Sequence, residues 1–568
     1  MKICRARGAV APGPTSCTPI ATINNRTGTY TDYNVKPSTQ YTYALFAFDT
    51  NGDFSSGSDL PTETPCRHTR IMRISGLISR DTTWTGACDV YLIEDTTTVE
   101  GGVRLEIESG AVVKYSGDAG LYIGPGGSLD VDGTAAHPVV FTSRADDSVA
   151  GDTNGDGPST GAPDTYAQAI ELGGGGSVTV TGAVFRYAGE AIFEGEFTDV
   201  GQECPAYGND HLTVTRSQID APIWLGSCTR TGGVVDIEHN RFDVPLAADV
   251  VGAIDIDDPN GTSTTNHLTV AYNTFEGADA VHTSRGTIPP EVDITGWDIS
   301  GFSLSGASTN TFTGTGPARA VELAEDLVAA GESWTVDRAS GAVLEMQGGS
   351  PGDLQAGLND DGIVALEHGS VVKVSGTGIE VAAGGLLEVE GTPAHPVVFT
   401  DRADDSVGGD TDGDGSSTGS GDEQAGNLVY FDAASRSDSL RYGLFENSGT
   451  AIDVQGGYSV LTVQNSEFVN NRDAFDVQSD PSDCNPPYTN DVTALNDWFD
   501  PSGAPGLSAN ALDIVGLKVP EKYADLFALT EAIVNHEANT ISRPVVTRSR
   551  FPSGLVRSFP ASLSRSSA

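Results

Sequence analysis

Lysine is nearly missing from this sequence. Its 568 residues contain six, and Lys and Arg together reach only 31 against 78 Asp and Glu, a formal net charge of −47 at pH 7. A field of that sign repels phosphate, which excludes a surface built for nucleic acid or for an anionic membrane. Long apolar runs are also missing: no stretch approaches the ~18–20 consecutive apolar residues of a membrane-spanning helix. The opening MKICRARGAVAPGPTSC has a basic start but no apolar core, so it lacks the pattern of a secretory signal, and the expectation is a truncated start. Cysteine is sparse, seven residues, and an odd count leaves at least one thiol free or shared with another chain. Cys204 with Cys228, or Cys66 with Cys88, could staple neighbouring turns of a coiled sheet or stay reduced and buried. Glycine (69) and proline (29) are what the chain has in plenty, so turns are frequent and regular elements short.

Residues 30 to 64 alternate with period 2 around Tyr41, Tyr43, Leu45 and Ala47, between Asn-Gly and Gly-Ser turn signals, which predicts antiparallel strands. The spacing Val35-x-Pro37-x-Thr39-x-Tyr41, followed by Ala47, Asp49 and Gly52, resembles the later strands of a fibronectin type III domain. That resemblance implies a partial β-sandwich over 1–65, acting as a spacer or contact module, with Tyr41 at a tyrosine corner.

Beyond residue 70 the chain repeats itself. GGSLDVDGTAAHPVVFTSRADDSVAGDTNGDGPSTGAPD from Gly126 recurs as GGLLEVEGTPAHPVVFTDRADDSVGGDTDGDGSSTGSGD from Gly384, at a constant offset of 258. Upstream, SGAVVKYSG matches HGSVVKVSG; downstream, FRYAGEAI matches FENSGTAI at an offset of 260. Duplication at this scale predicts two copies of one domain. Within each copy runs a shorter unit, LTVTRSQID (from Leu212), VDIEHNRFD (from Val235), LTVAYNTFE (from Leu268) and LTVQNSEFV (from Leu461), with apolar residues at positions 1, 3 and 8. Alternation followed by an apolar residue five places on describes a short strand, a sharp corner and another inward side chain. Such a unit closes no core alone and must stack on copies of itself. The run TTTVEGGVRLEIESGAVVKY and the phrases around PVVFTS and DDSVAGDTNGDG resemble bacterial secreted right-handed parallel β-helix proteins. The fold class implied is all-β: two right-handed parallel β-helix (solenoid) domains, over 70–300 and 331–515, joined by a connection over 301–330. Residues 516–568 are expected as a short amphipathic helix from Pro520 and a disordered Arg/Ser-rich tail.

The densest chemical signal is Asp152-x-Asn154-x-Asp156-Gly157 and its copy Asp410-x-Asp412-x-Asp414-Gly415. Oxygen ligands at alternate positions with glycine sixth let a tight loop wrap a hard cation, as in the first half of an EF-hand loop. The twelfth position carries Pro163 or Gly421 instead of glutamate; Asp164 and Asp422 follow one residue later, while Asp146 and Asp147, or Asp404 and Asp405, can enter from the other side. Five carboxylates lie between residues 146 and 164 without a Lys or Arg among them, so a counter-ion is expected, and a weakly bound structural Ca²⁺ fits. The alternative is a solvated Asp/Gly turn.

Catalytic signals are thinner. The β-helix resemblance implies that glycan-cleaving carboxylates, where present, sit on adjacent coils. In AIDIDDPNG inward Ile254 and Ile256 would put Asp255 and Asp257 together on the outer face, with Asp258 at the corner and Glu238 and His239 as neighbours from the preceding unit; a solvated outer face on a very acidic protein is the plainer reading of the same residues. The nine histidines include no H-E-x-x-H pair, and His137 and His395, each before Pro, are expected to close turns. Two function classes stay open. One is a secreted or cell-surface, calcium-stabilised, monomeric scaffold that binds polysaccharide or a cell-surface protein. The other is an extracellular polysaccharide-degrading hydrolase or lyase, marked by two carboxylates at catalytic spacing in an aromatic-lined cleft.

Overall fold

A computed structural model describes residues 1–8, 10–17, 19–23, 40–49, 52–63, 70–86, 89–157, 166–194, 211–226, 233–244, 252–257, 267–276, 292–295, 297–314, 319–348, 356–411, 425–432, 437–455, 460–477, 491–499 and 512–515. The chain divides into two compact units: Met1–Leu327 with Ala339–Val343 and Gly408–Ser416, and Val328–Arg338 with Leu344–Val407 and Ser417–Ala568. Among the described residues no helix is long and apolar enough to cross a membrane.

The first unit opens with an antiparallel four-stranded sheet, ordered Pro19–Thr22, Lys2–Arg7, Gln40–Phe46, Ser58–Glu63. A Cys4–Cys17 disulfide, a pairing the spacing did not suggest, joins a buried strand residue to the turn beyond it. Cys66, Cys88, Cys204 and Cys228 lie outside the described residues. So do Val35, Pro37 and Thr39 of the fibronectin-like pattern; Tyr41 is buried, with the Arg5 guanidinium over its ring at 4.8 Å.

From Arg70 onward the strands pair in parallel, each with its counterpart one coil away: the architecture is a parallel β-helix. One wall of the first unit stacks seven strands, Thr82–Trp84, Arg104–Glu108, Ser128–Asp132, Ser177–Thr181, His211–Thr215, Val234–Glu238 and His267–Ala271. The second unit repeats it with Ser333–Val336, Ile363–Glu367, Leu386–Glu390, Ser437–Arg441, Val460–Gln464, Asp491–Leu495 and Leu512–Val515. Residues 301–330, expected as a connection, carry strands of their own: Thr311 pairs with Thr274 and Glu322 with Asp293, so they continue the coils of the first unit.

Positions 1, 3 and 8 of the short unit build the core. Leu212, Val214 and Ile219, Val235, Ile237 and Phe242, Leu268, Val270 and Phe275, and Leu461, Val463 and Phe468 are all buried. Position 8 is a stack: the ring centroids of Phe242 and Phe275 lie 4.9 Å apart and those of Phe275 and Phe312 4.6 Å apart, with nearly parallel planes in each case. Each such pair adds about 0.5–1.5 kcal/mol beyond area burial. The corner is made at position 5, where Arg216, His239, Tyr272 and Asn465 take φ of 52°, 58°, 59° and 54°, a left-handed turn that disfavours L side chains. At Gly182 (φ 63°) the corner also approaches the backbone of Gly133, and a Cβ there would stand 2.6 Å from it. Position 6 offsets the cost. The Asn240 and Asn273 side chains accept from the Ser217 and Asn240 backbone N–H groups (2.9 and 2.8 Å) and donate to the Val214 and Ile237 carbonyls (2.8 and 2.7 Å), and Asn310 extends the ladder by one coil. Buried amides that bind the turn N–H groups of Ser217, Asn240 and Asn273 to the following coil fix the stacking register there.

Candidate functional site

The Asp loop of the first unit folds over a strand, Val112–Tyr115, whose four residues are all buried. The reason is Lys114. Its side chain leaves the outer side of the strand and its ammonium donates to the Asp146 carbonyl (2.8 Å), the Gly151 carbonyl (3.0 Å) and Thr153 Oγ1 (3.1 Å). Burial pushes this ammonium below the usual lysine range, and the charges of Asp146, Asp147 and Asp152 pull it back up. The expectation of five carboxylates without a cation is therefore corrected: Lys114, distant in sequence, supplies one positive charge from beneath.

The predicted ligands separate into two groups. Asp146 is fully buried and committed to the protein, accepting from Thr142 Oγ1 (2.7 Å), Ser148 N (3.0 Å) and the Ser148 hydroxyl. Asp147, Asp152 and Asp156 come together instead, with one carboxylate oxygen from each within 4.8 Å of the others. Asp152 accepts the Gly155 and Gly157 N–H groups (2.6 and 3.1 Å), and both glycines have positive φ, 80° and 95°, so the glycine at the sixth position makes the tight turn. Asn154 donates to Asp156 (2.8 Å). Asp164 lies outside the described residues.

The copy preserves the base of the loop. Asp404 is buried and accepts from Thr400 Oγ1 (2.7 Å), Ser406 N (3.0 Å), Ser406 Oγ (2.6 Å) and Asn447 Nδ2 (3.0 Å). Lys373 stands opposite Thr400 as Lys114 stands opposite Thr142, fully buried, with Glu345 on its other side; Glu345 pairs with Arg402 at 3.2 Å. Asp405 and Asp410 are half-buried, and Asp412, Asp414 and Asp422 lie outside the described residues. The duplicated lysine was the missed signal: two of six lysines sit in the matching segments VVKY and VVKV.

A second wall of the first unit carries Asp255. Ile254 and Ile256 point inward and are buried, leaving Asp255 on the outer face as period 2 predicts. The side chain of Asp257 and all of Asp258 lie outside the described residues. Glu238 is on a different sheet, and His239 stacks on Tyr272 (4.3 Å), so neither joins Asp255. Its actual neighbours are an outward column, one residue per coil: Tyr122, Glu171, Phe193, Trp224, Asp255, Asp293 and Glu322. Rungs of a parallel sheet repeat every ~4.8 Å, so the rings of Phe193 and Trp224 give way to the carboxylates of Asp255, Asp293 and Glu322 along one line. Trp224, Asp255 and Asp293 are half-buried, Phe193 and Trp224 pack at 4.9 Å, and burial raises the Glu171 carboxyl above the usual range. His137 and His395 close turns with Thr134 and Thr392.

Residues 76–156 match a family model described as a pectate-lyase-like beta helix domain. That segment holds the first coils and the Asp loop as far as Asp156. No curated protein and no solved structure matches the chain.

Proposed function

We propose that the chain is an exported β-helix protein that binds polysaccharide along the outward column of its first unit, with its Asp loops held by calcium and its N-terminal sheet serving as a spacer. The observation that carries this reading is the column itself. A half-buried Trp224 is followed by the half-buried carboxylates of Asp255 and Asp293 on the next two rungs. An aromatic face covers the apolar side of a sugar ring, and carboxylates accept from its hydroxyls in charge-assisted bonds. The likeness of residues 76–156 to a pectate-lyase-like domain supports polysaccharide as the ligand class. Calcium suits the Asp147, Asp152 and Asp156 oxygens, hard donors gathered by a glycine turn.

The test is a glycan array probed with the intact chain, beside Trp224→Ala and Asp255→Asn. The reading predicts binding to at least one polysaccharide class, weakened about tenfold or more in both variants; an array without signal overturns it. Degradation is the second reading, because Asp255 and Asp293 on consecutive rungs, ~4.8 Å apart, approach the carboxyl spacing of retaining glycosidases. Release of reducing ends from the bound polysaccharide, lost in Asp255→Asn and Asp293→Asn, would favour it over binding alone.

A further inference from the structure

The second unit holds carboxyl groups where a coil should be apolar. Asp360 ends the strand Ala356–Asp360 in an inward column whose other members are Val381, Phe431, Val454 and Val477, and it is fully buried. Asp438, also buried, takes the place that Leu461 and Val492 fill on the next coils, and its carboxylate accepts the Leu387 N–H at 2.8 Å. On the outer side of the same coils runs a column of Glu380, Tyr430, Asp453 and Asp476 on successive rungs. Asp453 is 5% exposed; Asn427 and Gln455 donate to its Oδ2 (3.0 and 3.1 Å), while Oδ1 is buried without a hydrogen-bond partner. Among the described residues the charged groups acting most on these side chains are acidic: Asp438 and Asp361 on Asp360, Asp432 and Asp361 on Glu380, and Asp476 on Asp453.

We propose that the second unit is a proton-operated device, in which protons on Asp360, Glu380 and Asp453 tighten the stacking of the strands Ala356–Asp360, Val371–Val381, Ala425–Phe431, Ser448–Val454 and Asp473–Val477, and their loss loosens it. Asp453 and Asp476 on adjacent rungs ~4.8 Å apart, and the buried carboxyls of Asp360 and Asp438 in otherwise apolar columns, cost least while some of them are neutral. Burial first, then the neighbouring carboxylates, raises Asp360 and Glu380 to about 7; burial raises Asp453 to about 6, with Asp476 adding and Gln455 and Asn427 opposing. All three lie above their unfolded values. The stabilisation is thus complete in acid, declines above about pH 4 and is lost by about pH 7. Between about pH 5 and pH 7 one carboxyl of this kind shifts the opening equilibrium by up to about a hundredfold.

Hydrogen exchange of the intact chain, corrected for intrinsic rates, tests this at about pH 5 and pH 8. Opening of segments 356–381 and 448–477 should rise about tenfold or more at the higher pH, and the combined Asp360→Asn, Glu380→Gln and Asp453→Asn variant should flatten the rise to less than about threefold. Equal protection at both pH values, or a variant with the wild-type response, overturns the proposal. Should the combined variant fail to fold, the three single variants are read in the same way, and an unchanged response in all three overturns it equally.

Discussion

Replacing Lys114 by methionine tests whether the Asp loop hangs from a buried ammonium. Methionine keeps most of the volume in the strand Val112–Tyr115, so the change removes chemistry more than packing. Three hydrogen bonds are lost, to the Asp146 and Gly151 carbonyls and to Thr153 Oγ1. Bonds to a charged group contribute about 1.5–3 kcal/mol each, but they are not additive, and removing the ammonium also removes the cost of burying it. The expected loss is about 2–4 kcal/mol, confined to the loop. The chain has two compact units, so a global melting curve would blur a local effect. Hydrogen exchange over residues 144–157 is the suitable assay, and that loss corresponds to opening increased about thirtyfold to several hundredfold. Lys373→Met should act likewise on residues 402–411. An increase below about fivefold in both variants would refute the reasoning and leave the lysines as passengers in a loop held by Asp146 and Asp404 alone.

Further outcomes follow from the same geometry. Asn273→Ala removes an acceptor for the Asn240 N–H and donors to Ile237 and Asn310, and should cost about 2–4 kcal/mol, seen as faster exchange in the coils 234–242 and 267–275. Phe275→Ala opens a cavity between Phe242 and Phe312 and should cost about 3–5 kcal/mol by the same measurement. Calorimetric Ca²⁺ titration of the chelated chain should show weak binding, in the range of about 10⁻⁴ to 10⁻³ M, with part of the heat lost in Asp152→Ala and part in Asp410→Ala. Asp146→Asn should loosen the loop yet leave that heat in place at saturating Ca²⁺, because Asp146 bonds inward to Thr142 and Ser148.

Much of the fold was legible because the solenoid writes its geometry into a short period. Positions 1, 3 and 8 of the units at Leu212, Val235, Leu268 and Leu461 marked inward side chains, and all are buried. The corner's chemistry was less visible: a left-handed φ at Arg216, His239 and Tyr272 has no signature in those residue types, and the Asn240–Asn273–Asn310 ladder shows only once the coils are aligned in space. The Asp loop was legible as a turn, since Gly155 and Gly157 sit where positive φ is needed. Its division into Asp146, turned inward, and Asp147, Asp152 and Asp156, gathered together, depends on Lys114, which is 32 residues from Asp146. The outward column was legible at Asp255 alone, because Trp224 and Asp293 become its neighbours only through parallel register.

Native electrophoresis of the intact chain through gels loaded with individual polysaccharides, beside Trp224→Ala, shows whether polysaccharide binds on that column. At least one polysaccharide should retard the chain, and the variant should lose that retardation. Migration unaffected by every polysaccharide, or equal retardation of the variant, would contradict binding there.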